Sequence, residues 1–157
     1  MPEDAIPTLP ESLAQLFTRD HRRLDAILVE AKQALRAGDL ARGAARFSEF
    51  RAGLERHIVA EEEVLFPLFE TVTGRAGCGP TRVMTLEHGE IRSLMAEIAA
   101  GLERGGDAAR AIPMAALTAR IYAHNGKEER ILYPAIEKAA VDTDALETLL
   151  SRIELPR

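Results

Sequence analysis

Four histidines are the only imidazoles in this chain of 157 residues, and one shift of 67 positions relates them as two pairs. His21 and His88 each follow an acid, Asp20 and Glu87. His57 and His124 each precede a glutamate by four residues, Glu61 and Glu128. At about 100° per residue, a helix returns a side chain four places on to within about 40° of the first. Each His-x-x-x-Glu pair therefore points one way. The stripe of His57 and Glu61 continues through Val64, Leu65 and Leu68, and that of His124 and Glu128 through Ile131, Leu132 and Ala135. His21 shares its stripe with Phe17, Leu24 and Leu28, and His88 with Met84, Ile91 and Met95. These are core faces, so four imidazoles and two carboxylates are expected in one apolar interior. Buried carboxylates without a counter-charge are costly. A cation resolves the cost, and mixed imidazole and carboxylate ligation suits iron, manganese or zinc. The candidate metal ligands are His21, His57, Glu61, His88, His124 and Glu128.

The elements that must position them read as helices. Apolar residues recur at three and four places in four sets, and no β-branched alternation marks a strand. Helices are expected at about 11–37, 40–72, 80–104 and 108–140, with a short fifth near 143–152. Gly38-Asp39, the glycine-rich stretch 73–80 and Gly105-Gly106-Asp107 separate them. Short connections between long amphipathic helices give an all-α, up-down-up-down antiparallel four-helix bundle. The segment His57–Glu70 aligns with His124–Glu137, keeping His, both glutamates, Leu, Pro and the final Glu, and pairing Phe66 with Tyr133. The bundle is thus expected as two helical hairpins related by an approximate two-fold axis. Pro67 and Pro134 each remove a backbone donor inside a helix, which predicts a kink or an early end.

Composition narrows the function classes. The length fits one domain over 1–157, with its core at about 11–140. A net charge of -5 argues against a general binder of nucleic acid or anionic membrane, and 4% aromatics with no Trp argues against base stacking. No apolar run approaches the roughly 18 residues of a membrane span. The acids and prolines of the first twelve residues do not resemble a signal peptide, and a single cysteine forms no internal disulfide. A cytoplasmic setting follows as the expectation.

On these motifs the chain resembles the hemerythrin-like family, the HHE cation-binding domain. The resemblance rests on Asp20-His21, His57-x-x-x-Glu61-Glu62 with Leu65-Phe66-Pro67, Glu87-His88, and His124-x-x-x-Glu128-Glu129 with Leu132-Tyr133-Pro134. It implies two non-haem irons with a bridging oxo or hydroxo group. His21 and His57 would hold one iron, His88 and His124 the other, and Glu61 and Glu128 would bridge them. Oxygen-carrying hemerythrins use a fifth histidine on the third helix, but here Met84 and Arg92 stand four away from His88. Their fourth-helix carboxylate is an aspartate five residues after its histidine, where this chain has Glu128 at four. The set more closely resembles bacterial di-iron proteins implicated in repairing iron centres under nitrosative stress. Counting ligands leaves one position open on each iron, which suits dioxygen, nitric oxide or peroxide. The resemblance thus implies a protein that binds or senses a small oxidant. An enzyme consuming peroxide or repairing iron centres is the alternative, and a bundle with structural zinc or a single iron is a third. A sensor would need a separate redox or signalling partner protein.

Other residues receive plainer readings. Glu62 and Glu129 lie about 140° from the histidines in an ideal helix, which makes them solvated or outer groups unless a π-bulge brings them in. Asp25 and Arg92 are repeat equivalents, read as surface charges at the bundle edge before a mutual salt bridge or, for Asp25, an extra ligand. Tyr133, nine residues after His124, falls on the opposite helix face and is expected to pack rather than reach the site; Tyr122 could also bring a phenol near. Cys78 is expected to be a free, exposed thiol.

Overall fold

In a computed structural model of the chain, residues 11–140, 151–153 and 155–156 are described. Helix α1, Leu13–Arg36, starts at Ser12, whose hydroxyl accepts from the Gln15 backbone while the Gln15 side chain accepts from the Ser12 backbone. This reciprocal cap satisfies two donors at the helix start. Gly38 turns the chain with φ +81°, a left-handed conformation that favours glycine. Asp39 then caps α2, Leu40–Ala60, by accepting from the Arg42 N–H at 3.0 Å.

The second rod does not kink at its proline. A π turn over Glu61–Leu65 joins α2 to α3, Phe66–Thr73. The Phe66 N–H donates to the Glu61 carbonyl, five residues back. Pro67 therefore falls in the first turn of α3, where its missing donor costs least. The fourth rod repeats this device. Helix α6, Met114–Lys127, meets a π turn over Glu128–Leu132 and continues as α7, Tyr133–Ala140. The expected kink or early end at Pro67 and Pro134 is thus replaced by a local widening of the helix.

Between these rods runs α4, Pro80–Arg104. A second difference lies at the start of the fourth rod. The single helix expected from 108 is broken into α5, Gly106–Arg110, and α6, because Pro113 disfavours helical backbone at Ile112. The described residues contain no strand, and the four rods form the expected all-α bundle of two hairpins. The short helix near 143–152 lies outside the described residues, apart from a turn at Ser151 and Arg152.

The core is split by a polar layer. One apolar cluster includes Leu24, Leu28, Phe47, Phe50, Leu54, Ile91, Ile98 and Leu117. The other includes Leu13, Phe17, Leu65, Phe66, Met84, Leu132, Tyr133 and Leu155. His21 falls between Phe17 and Leu24 on α1, and His88 between Met84 and Ile91 on α4, so the histidines occupy the gap. A surface groove of about 980 Å³ beside Lys32, Leu35 and Ile112 shares no lining residue with that layer.

Candidate metal centre

The π turns decide which side chains face inward. One extra residue per turn sets the following helix back by about 100° from its ideal phase. Ile131, expected on the core face, is 64% exposed as a result, and Val64 is only half-buried. Tyr133, expected on the far side, is fully buried and enters the centre. Its hydroxyl donates to Glu61 Oε1 at 2.6 Å and stands 3.2 Å from Glu128 Oε2 and 3.3 Å from the Nε2 atoms of His21 and His57. Tyr122 points away and is exposed.

All six candidate ligands converge. His21, His57, His88, His124, Glu61 and Glu128 are buried around a cavity of about 10 Å³, lined also by Leu54, Ile58, Ile91, Ile121 and Asn125. Two ligand groups share the glutamates: His21, His57, Glu61 and Glu128, and then His88, His124, Glu61 and Glu128. Within each, one donor atom per residue lies within 4.8 Å of every other. Donors about 2.0–2.2 Å from a common ion have comparable mutual distances.

Each imidazole is oriented from outside by a carboxylate on its Nδ1. His57 meets Asp20 at 2.8 Å, His124 meets Glu87 at 2.8 Å, His21 meets Glu129 at 2.8 Å and His88 meets Glu62 at 2.9 Å. The pattern obeys the repeat: the shift of 67 that takes Asp20 and His57 to Glu87 and His124 also takes Glu62 to Glu129. An Nδ1–H donated outward leaves Nε2 as the inward lone pair, the arrangement that supports ligating histidines. Glu62 and Glu129, part-buried, are thus outer partners of the imidazoles. Asp20 and Glu87 stand out in the sequence only as motif neighbours of His21 and His88, and nothing in their spacing marks them as partners of His57 and His124.

The inner donors are aimed at shared space rather than at one another. Glu61 Oε2, Glu128 Oε1 and His88 Nε2 are buried without a hydrogen-bond partner. They do lie close to neighbours, as with His88 Nε2 at 3.2 Å from Glu61 Oε2, but without hydrogen-bond geometry. Orphaned buried polar atoms are rare, and a cation between them satisfies all three. The donor set, neutral imidazoles with two carboxylates, fits a transition metal such as iron.

Without metal, protons supply the counter-charge. Burial alone would lower the pKa of His57, yet the charge of Glu61 and the bonds to Asp20 and Glu61 push it up to about 10. His88 is also pushed up to about 10, against its burial, by Glu128 and Glu61. Burial and mutual repulsion would raise Glu61, but the histidines hold it below the usual carboxylate range, and Glu128 well below. Burial and both carboxylates push the Tyr133 phenol well above its ordinary value, so it stays a neutral donor. A histidine whose pKa rises on folding contributes stability fully below the unfolded value and loses it as pH rises through the folded one. The metal-free protein should therefore lose thermal stability between pH 6.5 and about 10. Metal-loaded protein should not, because its imidazoles are already deprotonated. Melting by circular dichroism across that range, with and without chelator, checks the difference.

Arg92, Asp25 and Cys78 fall outside the ring. Arg92 binds Glu55 and Glu62, at 2.7 and 3.0 Å, rather than Asp25. Asp25 is exposed. Cys78 is free and exposed in the α3–α4 loop, as expected. No helix among the described residues is long and apolar enough to cross a membrane.

Comparison with known proteins gives one match. The family model of the hemerythrin HHE cation-binding domain matches residues 12–151. No curated protein and no solved structure matches the chain.

Proposed function

Since the chain belongs to the hemerythrin HHE cation-binding family, we propose that its buried layer holds two iron ions and that the centre binds or senses a small oxidant: dioxygen, nitric oxide or peroxide. His21 and His57 would hold one ion and His88 and His124 the other, with Glu61 and Glu128 shared between the two positions. The observation behind this reading is the pair of ligand groups that share both glutamates, with three inner donor atoms left unpartnered.

When bound, such a pair supplies redox capacity and open coordination positions for a small ligand. The protein's part is orientation, exclusion and proton placement. Asp20, Glu87, Glu129 and Glu62 fix the ring planes and keep each Nε2 available. Leu54, Ile58, Ile91 and Ile121 wall the small cavity with apolar groups, which disfavours bulk water beside the ligand atoms. Tyr133 keeps a proton 2.6 Å from Glu61 Oε1. Anaerobic titration of the reduced, iron-loaded protein with nitric oxide tests the reading. The expected result is a visible absorption change that saturates at no more than about two ligands per chain and reverses on removal. An iron-loaded protein whose spectrum ignores nitric oxide, dioxygen and peroxide alike contradicts it.

Tyr133 favours the enzymatic alternative, because reducing peroxide with electrons from an external donor consumes protons, and its hydroxyl places a hydrogen-bond donor inside the ring. On that alternative, Tyr133→Phe, which reproduces its repeat equivalent Phe66, lowers peroxide turnover by about 10²-fold. Metal content and the nitric oxide titration stay unchanged. Steady-state peroxide consumption measured beside iron content decides this: an equal loss of both would reduce Tyr133 to a packing residue.

A further inference from the structure

The internal repeat makes the two metal positions almost equivalent, and one departure from that equivalence falls directly behind a ligand. Three of the four outer carboxylates are themselves bound by a cation. Asp20 accepts from Arg23 Nε at 2.8 Å, behind His57. Glu87 is bound by Lys127, behind His124. Glu62 accepts from Arg92 Nη1 at 3.0 and 3.1 Å, behind His88. Glu129, behind His21, has no cationic partner among the described residues. Where the shift of 67 places Arg92, the first half has Asp25 instead.

Asp25 is near enough to belong to the same local field. It stands one turn after His21, and its carboxyl is raised from its ordinary value, first by desolvation, with the charge of Glu129 adding to the rise and that of His21 opposing it. Arg92 divides its charge between Glu62 and Glu55, yet both oxygens of Glu62 still face it. A carboxylate on Nδ1–H strengthens the imidazole as a donor, and a cation on that carboxylate draws part of the charge away. His21 is therefore backed by more negative charge than His57, His88 or His124.

We infer that the two metal positions are unequal: the position of His21 and His57 takes the first divalent cation, and Asp25 and Arg92 are the positioning charges that set the order. The inference rests on the proposed two-metal centre. Unlike the ligands, these two residues belong to neither ligand group.

Zinc alone serves as the probe, added to the chelator-stripped full chain labelled with ¹⁵N at histidine. After one equivalent, the Nε2 signals of His21 and His57 should shift before those of His88 and His124, with a preference of about tenfold, a size that one nearby charge in a partly shielded setting can supply. Asp25→Arg gives Glu129 the cation that Glu62 already has and should reduce the preference to about twofold or less. Asp25 is exposed, and arginine is a good helix former, so the fold tolerates the change. Arg92→Gln frees Glu62 and should narrow the gap from the other side by tightening the second equivalent. Even filling in the wild type, first filling at His88 and His124, or a preference unchanged in both variants overturns the inference. Two equivalents bound evenly would leave the two-metal centre intact, whereas failure to bind a second equivalent at all removes both.

Discussion

Replacing Glu128 with alanine should leave the protein unable to hold two metal ions. The Glu128 carboxylate is completely buried and faces three of the four histidines, with Nε2 distances of 2.9 Å to His124, 3.3 Å to His21 and 3.7 Å to His88. It belongs to both ligand groups, so its loss removes a donor from each. No neighbouring acid can substitute, because Glu129 is already turned outward to His21 Nδ1. We expect fewer than about one ion per chain, together with loss of any binuclear spectrum. His57→Ala should have the same spectroscopic outcome, since one position then keeps a single imidazole. The metal-free variant also loses the partner of buried cationic histidines, a change that typically costs about 3–5 kcal/mol. Metal content by elemental analysis and urea unfolding separate the two effects. Full occupancy in Glu128→Ala would contradict the bridging role.

Removing the metal from the intact protein should lower its melting point by about 8–16 °C. A ligand present at about 1,000 times its dissociation constant stabilises the folded state by about 4 kcal/mol. In a domain of this size each kcal/mol moves the midpoint by about 2–4 °C. The metal-free chain should still fold. His57 and His88, raised by Glu61 and Glu128, neutralise the buried carboxylates, and apolar clusters on both sides of the layer remain packed. Calorimetry before and after chelation reads the shift, and readdition of iron should restore it. A midpoint unmoved by chelator, with the metal shown to be gone, would place the metal outside this layer.

The bundle and the six inward side chains are legible in the sequence because they rest on period and repeat. Residues four apart share a face whatever the detail of the helix, so His57 with Glu61 and His124 with Glu128 survive the local distortion. Positions beyond the distortion lose that protection. A π turn adds one residue without marking it in the apolar pattern, and the helix after it is set back in phase. Spacing alone therefore places Ile131 inside and Tyr133 outside, the reverse of their positions in the structure. The signal available is the pair of prolines, since a single residue separates the end of each widened turn from Pro67 or Pro134. The outer carboxylates are hidden for a different reason. Asp20 lies on the same helix as His21 but orients His57 on the neighbouring one, and Glu129 orients His21 across the bundle. Such pairings depend on how helices sit together, which spacing along one helix does not encode. Their trace in sequence is acid in both copies, Asp20 with Glu87 and Glu62 with Glu129.

A binuclear iron site made by Glu61, Glu128 and the four histidines is the central claim, and one measurement tests it most directly. The purified protein is loaded anaerobically with ferrous iron, oxidised in air and freed of excess metal. Iron per chain is then counted beside the near-ultraviolet and visible absorption. The expected result is two irons per chain and the charge-transfer absorption of a bridged ferric pair. One iron or fewer per chain, or zinc that iron does not displace, would contradict it.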